Sequence, residues 1–131
     1  MSTPIDCPFC PPPTDRVVDE NSLAAVLNDA YPVSVGHCLV VPKRHVASWF
    51  ESTAEERGAL LELVDRAKQR LDDRISPDGY NIGINVGRAA GQTVFHLHVH
   101  VIPRVVGDVP DPRGGVRGVI PGKSNYLDTI D

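Results

Sequence analysis

No run of lysine and arginine occurs in this chain, and its 13 basic residues are outnumbered by 17 acidic ones, for a formal charge of −4. Without a basic patch there is no electrostatic footprint for duplex nucleic acid. Long hydrophobic runs are missing too, and none approaches the roughly 20 residues that a membrane-spanning helix needs. The segment from Met1 to Pro13 has neither a basic start nor an apolar stretch, so it does not read as a secretory leader, and a cytoplasmic location is the default expectation. The three cysteines are an odd number. Two of them form Cys7-Pro-Phe-Cys10, a spacing that points to disulfides in a small secreted protein and to metal or redox chemistry in an intracellular one. A length of 131 residues, 41% hydrophobic and 23% charged, describes one globular domain with a real core.

Along the chain, turn chemistry and periodicity predict an α+β fold. Four prolines between Pro8 and Thr14 exclude a regular helix there and mark residues 1–15 as an arm. Arg16 to Glu20 and Leu23 to Leu27 read as a hairpin turning at Asn21-Ser22, and His37 to Val41 as a buried strand stopped by Pro42. Thr53 with Glu56 matches a capping box that opens a helix from Ala54 to about Arg74, with Leu60, Leu61, Val64, Ala67, Lys68 and Leu71 as its buried stripe. Ser76-Pro-Asp-Gly79 ends it. Tyr80 to Val86 and Thr93 to Ile102 are two further strands around a tight loop, Gly87 to Gly91. Strands without βαβ alternation argue an antiparallel sheet of about five strands with one long helix. Residues 16–108 form the domain on this reading, and residues 109–131 a Gly/Pro-rich, ordered but irregular tail.

The five histidines stand at positions 37, 45, 96, 98 and 100. His96-Leu-His98-Val-His100-Val-Ile102 alternates strictly, and in a strand residues i, i+2 and i+4 share a face at steps of roughly 6–7 Å. Three imidazoles therefore line one surface while Leu97, Val99 and Val101 enter the core. Two chemistries suit such a row: a metal site, since alternating strand histidines ligate zinc, and nucleophilic catalysis by a neutral imidazole whose neighbours fix its tautomer. Immediately upstream, Asn85 to Thr93 is a Gly-bounded loop whose backbone amides lie beside the histidine face, an arrangement that suits phosphate oxygens.

Gly91-Gln-Thr-Val-Phe-His-Leu-His-Val-His-Val-Ile-Pro-Arg104 resembles the signature of the histidine triad (HIT) superfamily of nucleotide hydrolases and transferases, His-φ-His-φ-His-φ-φ with φ apolar. Gly36-His-Cys-Leu-Val-Val-Pro-Lys-Arg-His45 resembles the family's other hallmark, and the likeness runs from Arg16 to Asp108. The Gly-Gln-Thr-Val and Pro-Arg elements are similar to the dinucleoside polyphosphate hydrolase branch. The resemblance implies that His98 is the nucleophile, forming a nucleotidyl-histidine at the α-phosphorus that water then cleaves. It implies that His100 contacts the phosphate or leaving group and that His37 supports it. Asp29 is implied for the ribose hydroxyls, with Asn28 beside it, and Asn85, Gly91, Gln92, Thr93 and Val94 for the phosphates. A homodimer is implied as well.

Several bacterial members carry an N-terminal Cys-x-x-Cys and complete a zinc site with two histidines, here implied to be His45 and His96 beside Cys7 and Cys10. Zinc would then pin the arm to the sheet and leave His98 and His100 for chemistry. Reduced thiols in a loose arm, or a redox pair, are the competing readings. Relatives run from this motif into a short helix, whereas here Pro11 to Pro13 follow at once. Cys38 reads as a buried filler, and Trp49 as an aromatic packed over the helix start. Arg113 and Arg117 reach distal phosphates or are solvated loop charges. The expected function is hydrolysis of dinucleoside polyphosphates at the α-phosphate. Alternatives are an adenosine phosphoramidase and a zinc-stabilised nucleotide-binding module with little turnover. A nucleotidyl-sugar transferase is discounted, because its signature has proline where Leu97 stands and its chain is much longer.

Overall fold

A computed structural model describes residues 6–129; the first five residues of the arm and the last two of the tail lie outside it. Asn21 sets the first turn. Its Oδ1 accepts from the Leu23 and Ala24 amides at 3.1 and 2.9 Å, reversing the chain between β1 (Val17–Glu20) and β2 (Ala24–Asn28). Next come β3 (Cys38–Pro42), the helix α1 (Ala54–Ile75), β4 (Gly79–Gly83) and β5 (Val99–Arg104). All pairings are antiparallel, and the strands lie in the order β1-β2-β3-β5-β4, so β5 is interior to the sheet and β4 forms an edge.

α1 begins where its capping box requires. The Thr53 side chain accepts from the Glu56 amide at 3.1 Å, and the Glu56 carboxylate accepts from the Thr53 amide at 2.9 Å. Arg44 grips the same carboxylate through two nitrogens at 3.0 and 2.8 Å, which holds it below the ordinary carboxylate range although Glu56 is buried. At the other end Ser76 takes a left-handed conformation, φ 46°, and its amide closes on Leu71 and Asp72. The buried stripe differs from the expected one. Leu63 is inside with Leu60, Val64, Ala67 and Leu71, while Leu61 and Lys68 face outward. At 3.6 residues per turn, a face centred on Leu60 and Leu71 selects position 63 over 61.

The helix covers one face of the sheet, meeting Ala24, Val26, Cys38, Val40, Leu97, Val99 and Val101. On the other face Ala25, Leu27, Leu39 and Val41 are covered by Cys7 and Phe9 of the arm. β2 and β3 are thus buried on both sides, which explains their unbroken apolar sequence. The last strand is shorter than the alternation suggests. Its ladder with β3 runs from Cys38–Val101 to Val40–Val99, and two positions on, opposite Leu97, the register meets Pro42, which has no amide to give. Leu97 instead donates to the Val46 carbonyl at 2.8 Å, which ties the segment before Val99 to the chain outside the ladder. Beyond β5 the tail folds into two short 3₁₀ turns, Gly115–Val119 and Tyr126–Thr129. Among the described residues no helix is long and apolar enough to cross a membrane.

Candidate functional site

The apolar face of the segment entering β5 anchors Leu97 and Val99 in the core, which turns His96, His98 and His100 together onto the opposite surface. Each ring is then fixed by a backbone or side-chain partner, and those partners decide where its proton sits.

Nδ1 of His98 lies 2.8 Å from the His96 carbonyl. A carbonyl only accepts, so Nδ1 carries the hydrogen and the lone pair of His98 resides on Nε2. The half-buried ring is flanked by Phe9 and His100, with centroids at 5.6 and 5.1 Å. On the neighbouring strand the Val33 amide donates to Nδ1 of His37 at 3.1 Å. Neutral His37 must therefore hold its hydrogen on Nε2, which faces Nδ1 of His100 at 3.0 Å and Asp29 Oδ2 at 3.3 Å. Donation to His100 leaves that ring with its own hydrogen on Nε2. One row thus offers a lone pair on His98 beside a donor on His100. Burial lowers the pKa of both His37 and His100; neighbouring histidines add to the effect at His100, and the Asp29 carboxylate opposes it in both. Asp29 is itself fixed: its Oδ1 accepts from the Tyr31 amide at 2.7 Å.

His96 is fully buried and belongs to a different cluster. Its Nε2 donates to the Pro42 carbonyl at 2.8 Å, leaving the Nδ1 lone pair directed at Cys7 Sγ (3.3 Å), Cys10 Sγ (3.3 Å) and His45 Nδ1 (3.2 Å). The four ligand atoms lie within 4.8 Å of one another. Two thiols and two imidazoles facing one point suit a metal ion, and the Pro42 carbonyl supplies the outer partner that a ligating histidine needs. Burial and the neighbouring Cys7 push the Cys10 thiol up to about 11. Asp29, His37 and His100 also converge within 4.8 Å. There the Val33 amide forces a hydrogen onto the His37 nitrogen that would have to ligate, so this second group is a hydrogen-bonded chain.

The loop before the triad turns on Gly87 and Gly91, at φ 87° and 91°. Gln92 is spent inside it: Oε1 accepts from Gly87 at 2.9 Å, Nε2 donates to the Ala47 and Val94 carbonyls at 2.7 and 3.1 Å, and its amide bonds the Gly87 carbonyl at 3.1 Å. The Ala90 and Gly91 amides close the same turn onto the Gly87 and Arg88 carbonyls at 3.1 and 3.0 Å. Asn85, with His37 and His100, borders a cleft of about 820 Å³ that continues over β4 and under the tail. Arg113 pairs with Asp111 at 3.0 Å, and Arg117 stacks on Tyr126 and donates to the Lys123 carbonyl; neither borders the cleft. Cys38 is buried in the core, and Trp49 packs there beside the Arg57 guanidinium. Sequence reasoning missed the Val33 amide, the Pro42 carbonyl and the ring of Phe9. Only Phe9 left a signal, an aromatic between the two cysteines.

A five-stranded antiparallel sheet with one long helix, carrying a row of histidines next to a Cys/His cluster, defines an α+β domain of histidine-triad type. The HIT domain family model matches residues 13–106, and the chain belongs to the HIT family. It is 40% identical over 87 residues to an uncharacterized 16.1 kDa HIT-like protein of Mycoplasma pneumoniae, covering 66% of this chain and 60% of that protein. To the AP-4-A phosphorylase of Mycobacterium tuberculosis it is 37% identical over 93 residues, 70% of this chain and 48% of that one. The matches thus span less than two thirds of either relative. A Zn-bound histidine triad family protein from Mycobacterium smegmatis superposes with a TM-score of 0.72 at 32% identity, covering 83% of this chain and 86% of that one. A hypothetical histidine triad nucleotide-binding protein from Sulfolobus tokodaii gives 0.68 at 41% identity, over 73% of this chain and 64% of its own.

Proposed function

We propose that the protein is a nucleotidyl hydrolase that cleaves at the α-phosphate through a covalent nucleotidyl-histidine. The observation that carries this reading is the proton arrangement: a free Nε2 lone pair on His98 next to a donor on His100 Nε2, with His37 and the Val33 amide holding that donor in place. In the first step His98 Nε2 bonds to phosphorus as the bond to the leaving group breaks; the leaving atom keeps the electron pair and takes a proton from solvent. Water then attacks phosphorus and gives up one proton to solvent as the P–Nε2 bond breaks; the electron pair returns to His98, and a nucleoside monophosphate departs. His100 and the Thr93 and Val94 amides face the phosphate oxygens, where donors already in place act on developing charge. Asn85 adds a side-chain amide. Gln92 and Gly91 shape the loop, and Asp29 presents Oδ2 to the ribose.

The AP-4-A phosphorylase relative supports dinucleoside polyphosphates as substrates. One observation favours the second reading, a phosphoramidase: the cleft beside His100 is bordered by a single guanidinium, Arg104, already paired with Asp108. Zinc is the ion we assign to Cys7, Cys10, His45 and His96. Tetrahedral bonds of about 2.0–2.3 Å place ligand atoms roughly 3.3–3.7 Å apart, close to the 3.2–3.3 Å found here. Its part is to fasten the arm to the sheet. A homodimer has an available edge in β4, where Ile82 is exposed.

Product analysis on a diadenosine polyphosphate and an adenosine phosphoramidate, with His98→Ala alongside, tests the reaction. Release of adenylate that disappears in the variant is the expected result. Bound nucleotide without turnover on either substrate refutes it and leaves a binding module.

A further inference from the structure

Cys7, Pro8, Phe9 and Cys10 form one tight turn: the Cys10 amide donates to the Cys7 carbonyl at 3.2 Å, and the Phe9 amide to Cys7 Sγ at 3.4 Å. The turn leaves Pro8 in solvent and drives Phe9 inward, where only 5% of it stays exposed. There its ring meets both histidine groups. It stands edge to face with the His96 ring, centroids at 5.6 Å, and tilted by 60° against the His98 ring, again at 5.6 Å. The bond from His98 Nδ1 to the His96 carbonyl fixes one point of the His98 ring. A ring held at one point still swings about it, and the direction of its Nε2 lone pair swings with it. The contacts with Phe9 and His100 close off that swing. The His96 carbonyl and the Phe9 ring both belong to the Cys/His cluster, one as part of its buried histidine and the other carried between its two cysteines.

We propose that Phe9 is a positioning residue for His98, and that the cluster of Cys7, Cys10, His45 and His96 sets the aim of the His98 lone pair through it. The inference rests on His98 as nucleophile and on a metal at the cluster, and concerns how the second acts on the first. Phe9 also packs on Ala25, Leu27, Leu39 and Val41, so it anchors the arm to the sheet. Anchoring alone would change the melting temperature and leave the His98 side chain in one rotamer. A positioning role frees the His98 side chain while the sheet stays folded.

The test crosses Phe9→Leu with metal removal. Leucine keeps most of the apolar volume and gives up the ring; chelated wild type needs no substitution, so it decides the question if the variant folds poorly. Side-chain couplings in NMR should show one χ1 rotamer for His98 in metal-loaded wild type and averaging in both altered forms. Ring-to-ring nuclear Overhauser effects between Phe9 and His98 should weaken on chelation. In Phe9→Leu, kcat for adenylate release should fall about 2- to 12-fold, the weight of an edge-to-face ring pair, with KM nearly constant. Chelation should cost wild type a similar factor and cost Phe9→Leu little more, the non-additivity of two changes that act along one path. A rise in KM at constant kcat, or full additivity, reduces Phe9 to a wall or an anchor and overturns the inference. A single His98 rotamer in all three forms overturns it too, whatever the melting temperatures do, while loss of turnover in His98→Ala would still support the chemistry. The NMR measurements need no turnover, so they decide the role of Phe9 even where neither substrate is cleaved.

Discussion

Removing the His37 ring should separate the proton arrangement from everything else at the site. His37 is buried and supplies the hydrogen that Nδ1 of His100 accepts at 3.0 Å. In His37→Ala that acceptor is orphaned, at a cost of about 1–3 kcal/mol. His100 is then free to move its own hydrogen to Nδ1, and the atom facing the phosphate becomes an acceptor. A lost hydrogen bond to a charged oxygen is worth about 1.5–3 kcal/mol, which at 1.36 kcal/mol per decade is roughly a 10- to 150-fold fall in turnover. His37→Gln retains an N–H near the former Nε2 and should lose only a few-fold. Nitrogen-15 NMR of the ring nitrogens reads the tautomers directly: wild type should show hydrogen on Nδ1 of His98 and on Nε2 of His37 and His100. A wild-type His100 with its hydrogen on Nδ1, or an alanine variant with unchanged tautomer and rate, would refute the reasoning.

Chelation, or Cys10→Ser, should lower the melting temperature and release the ion, since a metal present at about 1,000 times its dissociation constant contributes roughly 4 kcal/mol; calorimetry with metal content measured in parallel checks this, and an unchanged transition rejects the site. Gly36→Ala should cost about 1–3 kcal/mol from backbone strain and crowding, because Gly36 sits at φ +90° and a Cβ would lie 2.7 Å from Leu71 Cδ2; a urea midpoint equal to wild type contradicts it. Stability should also rise with pH through the ordinary histidine range. Burial lowers the folded-state pKa of His37 and His100, so below about pH 6.5 the unfolded chain binds more protons and acidification favours it. Urea midpoints should be lower at pH 5.5 than at pH 7.5, with a smaller difference in His37→Gln; the carboxylates held low by partners, such as Glu56 and Asp108, titrate below this window.

Local chemistry is what the sequence states most legibly. The Asn21 turn and the Thr53–Glu56 box lie within four residues of the elements they start, and both hairpin and helix fall where those residues place them. Leu63 rather than Leu61 was legible too, because at 100° per residue it lies nearer the stripe of Leu60, Val64, Ala67 and Leu71, and the sheet beneath buries it. The early end of the β5 ladder depends on Pro42, 55 residues before Leu97 and opposite it only after folding. At the site, residue types were readable and proton positions were not. The groups that fix them are a Val33 amide and the Pro42 and His96 carbonyls, which every sequence contains and no pattern marks. Gln92 shows the same blindness: its side chain reads as a donor to phosphate until the fold closes it onto Gly87 and Ala47.

His96, His98, His100 and Arg104 follow one another along a single segment, so the Cys/His cluster, the His98 ring, the His37–His100 pair and the cleft wall are spaced by that segment itself. A backbone that alternates faces every residue cannot absorb an insertion: one extra amino acid between His96 and His100 would send imidazoles into the core and valines to the surface. Length variation is therefore barred from this stretch, whereas the loop around Val33 and the tail beyond Arg104 can lengthen or shorten without disturbing the row. Descendants of this chain are free to reshape the cleft by altering those two margins, while the central seven residues from His96 to Ile102 pass on unaltered in number.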